Sequence, residues 1–237
     1  MRITSLSIIL TFIAANVFSQ TTYKEWWVEV KPGKGQSIIE NTNQFFEQND
    51  AEFSSGGWAI YTVDTRGSMQ VTHKLRRFGN YSVEALSWSE EVDSRYSQLW
   101  QQNFSMIETV VKDQQALILT RKNYTKELTL KYPYEKVYEI HVADPESYLE
   151  AFNTLWASDD IVSLWEDRPY ALAAVTTGHE NAITHRLHLS FEDWRDMYEM
   201  ERQFYATDAW SDYLQKDLDA EIISTMTSIL RARHSAN

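Results

Sequence analysis

An internal repeat runs through nearly the whole chain and constrains its fold more than any other feature. Five segment pairs recur in the same order: residues 23–30 with 135–142, 58–63 with 170–175, 72–75 with 184–187, 97–101 with 211–215, and 117–121 with 229–233. The partners stay 112 to 114 residues apart, so the two halves align without rearrangement. Such a repeat indicates two copies of one folding unit, which predicts architecture far better than it predicts chemistry.

The first 19 residues have the pattern of a secretory signal peptide. Arg2 supplies a positive charge, an apolar stretch covers residues 6–15, and Val17 and Ser19 occupy the positions that a signal peptidase reads. The apolar run is shorter than the roughly 20 residues that span a bilayer. We therefore predict cleavage after Ser19 and a secreted or periplasmic mature protein with no integral membrane segment.

Charge and composition argue against several classes of protein. The chain has 34 acidic and 22 basic residues, a formal net charge of −12, whereas nucleic acids and anionic membranes attract basic surfaces. It contains no cysteine, so disulfides and thiolate metal sites are excluded. Aromatic residues make up 14% of the chain and include nine tryptophans, so a core or a cleft must accommodate many large rings.

Hydrophobic periodicity gives both halves the same order of elements. Alternation predicts strands at residues 25–30, 58–63, 69–78 and 110–121, and again at 137–142, 170–176, 182–189 and 222–233. Helical spacing predicts helices around residues 38–46, 82–104, 148–156 and 191–218. Ser190 has the character of an N-cap for the last of these. The resulting β-α-β-β-α-β order is the ferredoxin-like arrangement.

Two such units in one chain resemble the dimeric α+β-barrel superfamily in a tandem, fused form. The resemblance implies an α+β fold in which two four-stranded sheets face each other as a pseudo-dimeric barrel with the helices outside. The predicted parts are a signal peptide (1–19), a first ferredoxin-like unit (22–122), a linker (123–134) and a second unit (135–234). Residues 127–131 of the linker have a pattern that allows a short extra strand. A fused pseudo-dimer is expected to be a monomer or a homodimer.

Strand alternation separates an apolar face from a polar face, and the polar face should point into the barrel. Its candidate ligand-binding residues are Trp27, Glu29, Arg76, Glu139, His141, Arg186 and His188, with Lys74 beside them. One interpretation is a pocket for a polar small molecule, in which arginines bind a carboxylate or phosphate. The other is a lattice of mutually neutralising ion pairs that joins the two sheets.

The repeated Thr-His pair places His73 and His185 on the apolar face that should meet the helices. Each is either a hydrogen-bonded core histidine or part of a sheet–helix ligand pocket, a location that some members of the superfamily use. His141 and His188 lack the local spacing of metal ligands, so no metal is predicted. No haem-ligand motif, nucleophile elbow or phosphate loop is present, and no cofactor is predicted.

Residues 191–210 contain six aromatic rings, which pack on the sheet or, if exposed, would suit stacking on sugar rings. The function predicted from the sequence is an exported small-molecule-binding protein whose polar or aromatic pocket lies within or between the halves. The alternatives are a cofactor-independent oxygenase- or isomerase-like enzyme, and a non-catalytic interaction protein of the cell envelope. Fold alone does not choose among them.

Overall fold

The computed structural model describes residues 21–48, 56–65, 69–79, 90–178 and 182–235. The predicted signal peptide and residues 82–89 of a predicted helix lie outside these ranges. The strands are β1 (Thr22–Val30), β2 (Gly57–Thr65), β3 (His73–Gly79), β4 (Ile107–Lys122), β5 (Tyr134–Val142), β6 (Tyr170–Thr177), β7 (His185–Phe191) and β8 (Ala220–Ser235). The helices are α1 (Gly35–Gln48), α2 (Glu90–Ser105), α3 (Lys126–Lys131), α4 (Pro145–Trp156), α5 (Asp159–Leu164), α6 (Trp194–Tyr205) and α7 (Asp208–Leu214).

The eight strands close into one antiparallel barrel in the order β1-β3-β2-β8-β5-β7-β6-β4. Within each half the strand order is the same, β4-β1-β3-β2 in the first and β8-β5-β7-β6 in the second. The halves are joined where β2 pairs with β8 and where β4 pairs with β6. Closure leaves no strand edge unpaired. The predicted α+β class and barrel are confirmed.

The Thr-His pairs occupy matching positions in the two halves. The hydroxyls of Thr72 and Thr184 each accept a bond from a backbone N–H near the end of β1 or β5, at 2.9 Å in both halves. The same hydroxyls lie 3.0 Å from Nδ1 of His73 and 2.9 Å from Nδ1 of His185. The repeated pair therefore ties β3 to β1 and β7 to β5 where each strand begins or ends.

The predicted extra strand at residues 127–131 is wrong, because these residues form helix α3. The Thr125 hydroxyl accepts a bond from the backbone N–H of Leu128, which caps the helix, and Pro133 stands just beyond its end. A polar residue that caps an N-terminus outweighs the alternating pattern of so short a segment.

The predicted helix over residues 191–218 is two helices, α6 and α7, and Ser190 does not cap it. Ser190 and Phe191 end β7, and the side chain of Asp193 accepts bonds from the first N–H groups of α6. The hydroxyl of Thr207 caps α7 in the same way. The break between the two helices opens the helical layer of the second half.

Two apolar cores lie between the barrel and the helices, one in each half. The first-half core contains Trp58 and Trp100, and the second-half core contains Trp156 and Trp165. The barrel interior is different, since it buries charged side chains from both halves. The fold therefore offers two kinds of candidate site, one inside the barrel and one beneath the helices.

Candidate functional site

Seven charged side chains meet inside the barrel and form what we term the charged cluster. They are Glu25, Lys74, Arg76, Lys112, Glu135, Glu139 and Arg186, none more than 6% exposed. Strands from both halves contribute, because inward-facing positions of β1, β3, β4, β5 and β7 converge there. Charges buried to this extent must be paired or bound by a ligand.

Arg76 is the centre of one side of the cluster. Its Nε lies 2.6 Å from Oε2 of Glu25, and its Nη1 lies 2.7 Å from Oε1 of Glu135. Lys74 donates to the other oxygen of Glu135, and Arg76 also donates to the Tyr61 hydroxyl at 3.1 Å. Glu135 therefore links two cations of the first half to β5 of the second.

Arg186 is the centre of the other side. Its Nη1 lies 3.1 Å from Oε1 of Glu25, and its Nη2 lies 2.6 Å from Oε1 of Glu139. Lys112 approaches Oε2 of Glu139 at 2.8 Å. The Trp27 ring lies beside both cations, 4.5 Å from the Arg186 guanidinium and 4.4 Å from Lys112 Nζ. Trp27 thus covers the cations with an aromatic face.

The surrounding charges keep the buried carboxylates ionised. Burial raises the pKa of Glu25, but Arg76, Lys74 and Arg186 outweigh it and lower that pKa to about 2. The same balance of burial against cations lowers the pKa of Glu135 and of Glu139. The contacts match the ion-pair lattice, so Arg76 and Arg186 are already bound by carboxylates of the chain itself.

His188 joins the cluster as a neutral imidazole. Burial, followed by the charge of Arg76, lowers its pKa to about 4. Nδ1 lies 3.1 Å from Arg76 Nη2, and Nε2 lies 2.9 Å from the Tyr23 hydroxyl. A guanidinium only donates, so Nδ1 accepts and Nε2 carries the proton. His188 and Arg76 are equivalent residues, 112 positions apart, that meet across the barrel.

The structure brings together five of the seven residues predicted for the interior: Trp27, Arg76, Glu139, Arg186 and His188. Glu29 and His141 stand apart, half-buried near the ends of β1 and β5. His141 Nδ1 lies 2.8 Å from the carbonyl oxygen of Ala182. A ligand-binding role for these seven residues stays a prediction.

Sequence reasoning missed Glu25, Glu135 and Lys112 as members of the cluster. Alternation along β1 does place Glu25 on the face of Trp27, so the signal for it was present. Lys112 is harder to place, since the pairing of β4 with β1 shifts register beside it. A register shift cannot be read from alternation alone.

His73 and His185 lie beneath the helices, as predicted, and are 8% and 3% exposed. Burial lowers the pKa of both imidazoles, and each ring nitrogen Nδ1 is held by its neighbouring threonine. A Cβ atom at Gly35 of α1 would lie 2.6 Å from Cε1 of His73. His185 packs beside the Tyr148 ring, with centroids 5.6 Å apart. These are close-packed positions, and their role in a ligand pocket stays a prediction.

An open cleft of about 270 Å³ lies between the sheet and the helices of the second half, and we term it the aromatic cleft. Its floor comes from β5, β7 and β8, and its walls come from α4, α6 and α7. The lining residues are Tyr138, Ile140, Tyr148, Phe152, Leu155, Trp156, Trp165, Leu187, Leu189, Glu201, Phe204, Tyr205, Trp210, Tyr213, Leu214, Ala220 and Ile222. Almost all are aromatic or aliphatic.

One carboxylate and two hydroxyl groups give the cleft a polar end. The Tyr138 hydroxyl donates to Oε1 of Glu201 at 2.5 Å, and the Tyr205 hydroxyl lies 3.4 Å from that of Tyr138. Lys136 also donates to Glu201 at 2.5 Å. Burial, then the neighbouring Tyr205, raises the pKa of Tyr138, so its phenol stays protonated. The cleft can therefore orient an apolar molecule through one polar group.

The six rings of residues 191–210 divide between core and surface. Phe191 and Phe204 are buried, which agrees with sheet packing, whereas Trp194 and Tyr198 are 52% and 62% exposed. Trp210 is partly buried against the second-half core. The prediction that these rings pack on the sheet is therefore wrong for Trp194 and Tyr198, in the first turns of α6.

Within the described residues, no group of three histidine or acidic side chains is arranged to hold a metal ion. The residues that line the aromatic cleft include no histidine or methionine. None of the helices in the described ranges is long and apolar enough to cross a membrane.

No protein-family model and no curated protein matches this sequence. Solved structures match its fold. A proposed monooxygenase from Fusobacterium nucleatum aligns over 93% of this chain and 96% of its own, with a TM-score of 0.58 and 11% identity. A proposed monooxygenase from Lactobacillus acidophilus aligns over 92% and 97%, with a TM-score of 0.55 and 7% identity. An anthrone oxidase-like protein aligns over 92% and 94%, with a TM-score of 0.54 and 11% identity. This protein therefore shares the α+β-barrel fold of these structures.

Proposed function

We propose that this protein binds an apolar, aromatic small molecule in the aromatic cleft of its second half. The observation that carries the proposal is the 270 Å³ opening lined by aromatic rings that surround one carboxylate. Its volume lies near the lower end of the roughly 300–1,000 Å³ range of small-molecule sites. An apolar lining with one polar group is the usual composition of such sites.

The polar end defines the ligand further. The Glu201 carboxylate already accepts from Lys136 and Tyr138, and an ionised carboxylate has lone pairs for a further donor. A phenol or another weakly acidic hydroxyl on an aromatic ring fits this arrangement. Phe152 and Trp156 line the cleft with their rings tilted against each other, centroids 5.5 Å apart, and provide aromatic surface for a planar ring.

The charged cluster supports this choice, because its arginines are occupied. Arg186 is fully buried and is bound by Glu25 and Glu139. A ligand that bound there would have to break ion pairs in the barrel interior, at a cost of several kcal/mol per charge. The cluster joins the two sheets, and the aromatic cleft is free to bind.

The proposal includes the setting of the protein. Cleavage after Ser19 would deliver a cysteine-free mature chain outside the cytoplasm, where it would bind its ligand as two fused ferredoxin-like units. The shared strand order of the halves supports a duplicated unit. N-terminal sequencing of the protein purified from its own host tests the cleavage point.

Binding is tested by isothermal titration calorimetry with 2-naphthol, a planar phenol. We expect saturable binding at one site. Ile222 lines the cleft and is 57% exposed, so Ile222→Trp adds a ring to the opening without disturbing a core. We expect this variant to bind 2-naphthol about tenfold more weakly, a loss of roughly 1.4 kcal/mol.

Val110→Trp is the matched control. Val110 is the first-half equivalent of Ile222, since it pairs with Val28 on β1 as Ile222 pairs with Ile140 on β5. Val110 is 47% exposed, so the substitution adds the same ring to the surface of the first half. We expect unchanged affinity. Absence of saturable binding, or equal weakening by both variants, would show that the cleft is not the binding site.

A second candidate is oxidation of an aromatic substrate by dioxygen in the same cleft. It is favoured by fold neighbours that include two proposed monooxygenases and an anthrone oxidase-like protein. Glu201 is the group in the cleft that can take a proton from an acidic C–H of the substrate. The resulting carbanion would reduce dioxygen, so that anthrone and O₂ give anthraquinone and water.

Oxygen uptake with anthrone separates turnover from binding. We expect Glu201→Gln to lower the rate about a hundredfold, the lower end of what a general base contributes. Glu199→Gln is the control, because Glu199 pairs with Arg202 on the exposed surface of the same helix. Tight naphthol binding without oxygen uptake would leave a binding protein and reject the enzyme.

A further inference from the structure

A second cavity, of about 60 Å³, opens at one end of the barrel interior, away from the aromatic cleft. We term it the barrel-end cavity. It is about four to six times the ~10–15 Å³ that one water molecule needs. Three arginines line it, Arg76, Arg121 and Arg233, together with the tyrosines Tyr23, Tyr61 and Tyr124. The aromatic cleft shares none of these residues.

Arg233 is a buried cation without a carboxylate. It is 9% exposed, and no carboxylate of the described residues lies within ion-pair distance of it. Its Nη2 donates to the carbonyl oxygen of Tyr124 at 3.3 Å, and its guanidinium lies 4.7 Å from the Phe78 ring centroid. Its Nε has no hydrogen-bond acceptor among the described residues. A buried arginine in this state is costly unless an anion joins it.

The Tyr124 hydroxyl is a second unused donor in the same cavity. It is buried and has no hydrogen-bond partner in the described part of the chain. Burial raises the pKa of this phenol well above its usual value, so it keeps its proton for donation. Two buried donors without acceptors, Arg233 Nε and Tyr124 Oη, therefore line one small space.

The charge balance of the barrel interior also favours a bound anion. In the charged cluster four cations face three carboxylates, and His188 adds no charge while neutral. Arg233 lies next to this excess, and Arg121 stands at the exposed rim of the cavity. The interior would gain from one further negative charge, placed where the unused donors are.

We propose that the barrel-end cavity binds a small monocarboxylate, with its carboxylate at Arg233 and Tyr124. Phe78, Ile118 and Ala171 line the same cavity and provide an apolar surface for a short hydrocarbon end. A carboxylate suits a guanidinium because two oxygens match its N–H groups. Arg121 and Arg233 are equivalent residues of the two halves, so both halves supply a cation to the site.

The test is calorimetric titration of the full mature protein with sodium acetate in a buffer free of other carboxylates, at constant ionic strength. We expect binding at one site, about tenfold weaker in Arg233→Gln because a charge-assisted contact is lost. Without acetate, Arg233→Gln should be at least as stable as the wild type, since it removes an uncompensated buried charge. Tyr124→Phe, which keeps the ring, should weaken acetate binding without unfolding the chain.

Arg231→Gln is the matched control. Arg231 lies on β8 like Arg233, but it is exposed and does not line the cavity, and its substitution removes one positive charge just as Arg233→Gln does. We expect it to bind acetate as the wild type does. A lack of acetate binding, or equal weakening by Arg231→Gln, would overturn the site. Nitrate that binds as tightly as acetate would overturn the carboxylate assignment. Loss of 2-naphthol binding in Ile222→Trp with acetate binding retained would support two separate sites.

Discussion

Helices cover the sheet in both halves, yet the rings at one repeated position are closely packed in the first half while the second half has an open cleft there. In the first half, Trp58 stacks on Trp100 with ring centroids 4.1 Å apart, and Trp26 stacks on the other side of Trp58 at 5.5 Å. In the repeat, Trp100 corresponds to Leu214, which is 62% exposed at the edge of the aromatic cleft. One position therefore holds a packed ring in one half and an exposed aliphatic side chain in the other.

This difference teaches that two halves with the same strand order can differ in how their helices pack on the sheet. In the first half, the Asn103 side chain of α2 donates a hydrogen bond to the Thr42 hydroxyl of α1 at 3.0 Å, and both residues are fully buried. In the second half, Phe152 of α4 instead lines the aromatic cleft. Filled layers stabilise the chain, whereas an open layer gives up packing for space.

Removal of Trp100 should produce the largest effect on stability. Trp100→Ala deletes a ring that is 7% exposed and stacked on Trp58, so we expect the free energy of unfolding to fall by about 4 kcal/mol. Denaturant unfolding measures it. The paired variant is Leu214→Ala, for which we expect a change within about 0.5 kcal/mol. Equal losses at both positions would mean that the two layers are packed alike.

The next largest effect should come from the contacts that cross the barrel. Glu135→Gln leaves Lys74 without its carboxylate and Arg76 with Glu25 alone, and we expect a loss of about 3 kcal/mol. Tyr23 is the equivalent of Glu135 in the repeat, and its hydroxyl contacts neutral His188. Tyr23→Phe should therefore cost only about 1 kcal/mol. Similar losses for the two variants in urea unfolding would contradict this ranking.

The repeat and strand alternation were enough to predict the barrel and most of its interior. Lys74 and Arg186, equivalent residues of β3 and β7, were placed inside by alternation, and both are fully buried there. His73 and His185 were placed beneath the helices for the same reason. Period-2 patterning records which face a residue occupies, and a closed barrel makes one face the interior.

The aromatic cleft and the position of Arg231 could not be predicted from the sequence, because they depend on side-chain volume and on strand register. The open cleft follows from Leu214 standing where the other half has Trp100, a difference in volume that is visible only once the helices are positioned. Arg231 and Arg233 are two residues apart, so regular alternation would put them on one face, but Arg231 is the extra residue where the pairing of β8 with β2 shifts register. Alternation predicts faces only where a strand is regular.

The pH dependence of stability gives the finest test of the difference between the halves. His188 and its equivalent Arg76 meet across the barrel, but only the imidazole titrates near neutral pH. Burial and Arg76 lower the pKa of His188 from 6.5 to about 4 in the folded protein. Its contribution to stability is therefore complete above pH 6.5 and is lost as the pH falls toward 4, because the unfolded chain takes up the proton first.

Over that window His188 should make the free energy of unfolding fall by about 1.4 kcal/mol per pH unit. The other buried histidines add their own slopes, so the share of His188 is the difference between the wild type and His188→Gln in urea unfolding at several pH values. If His188→Gln keeps the wild-type slope, the imidazole is charged in the folded protein. The contact between His188 and Arg76 is then not one between a neutral ring and a guanidinium cation.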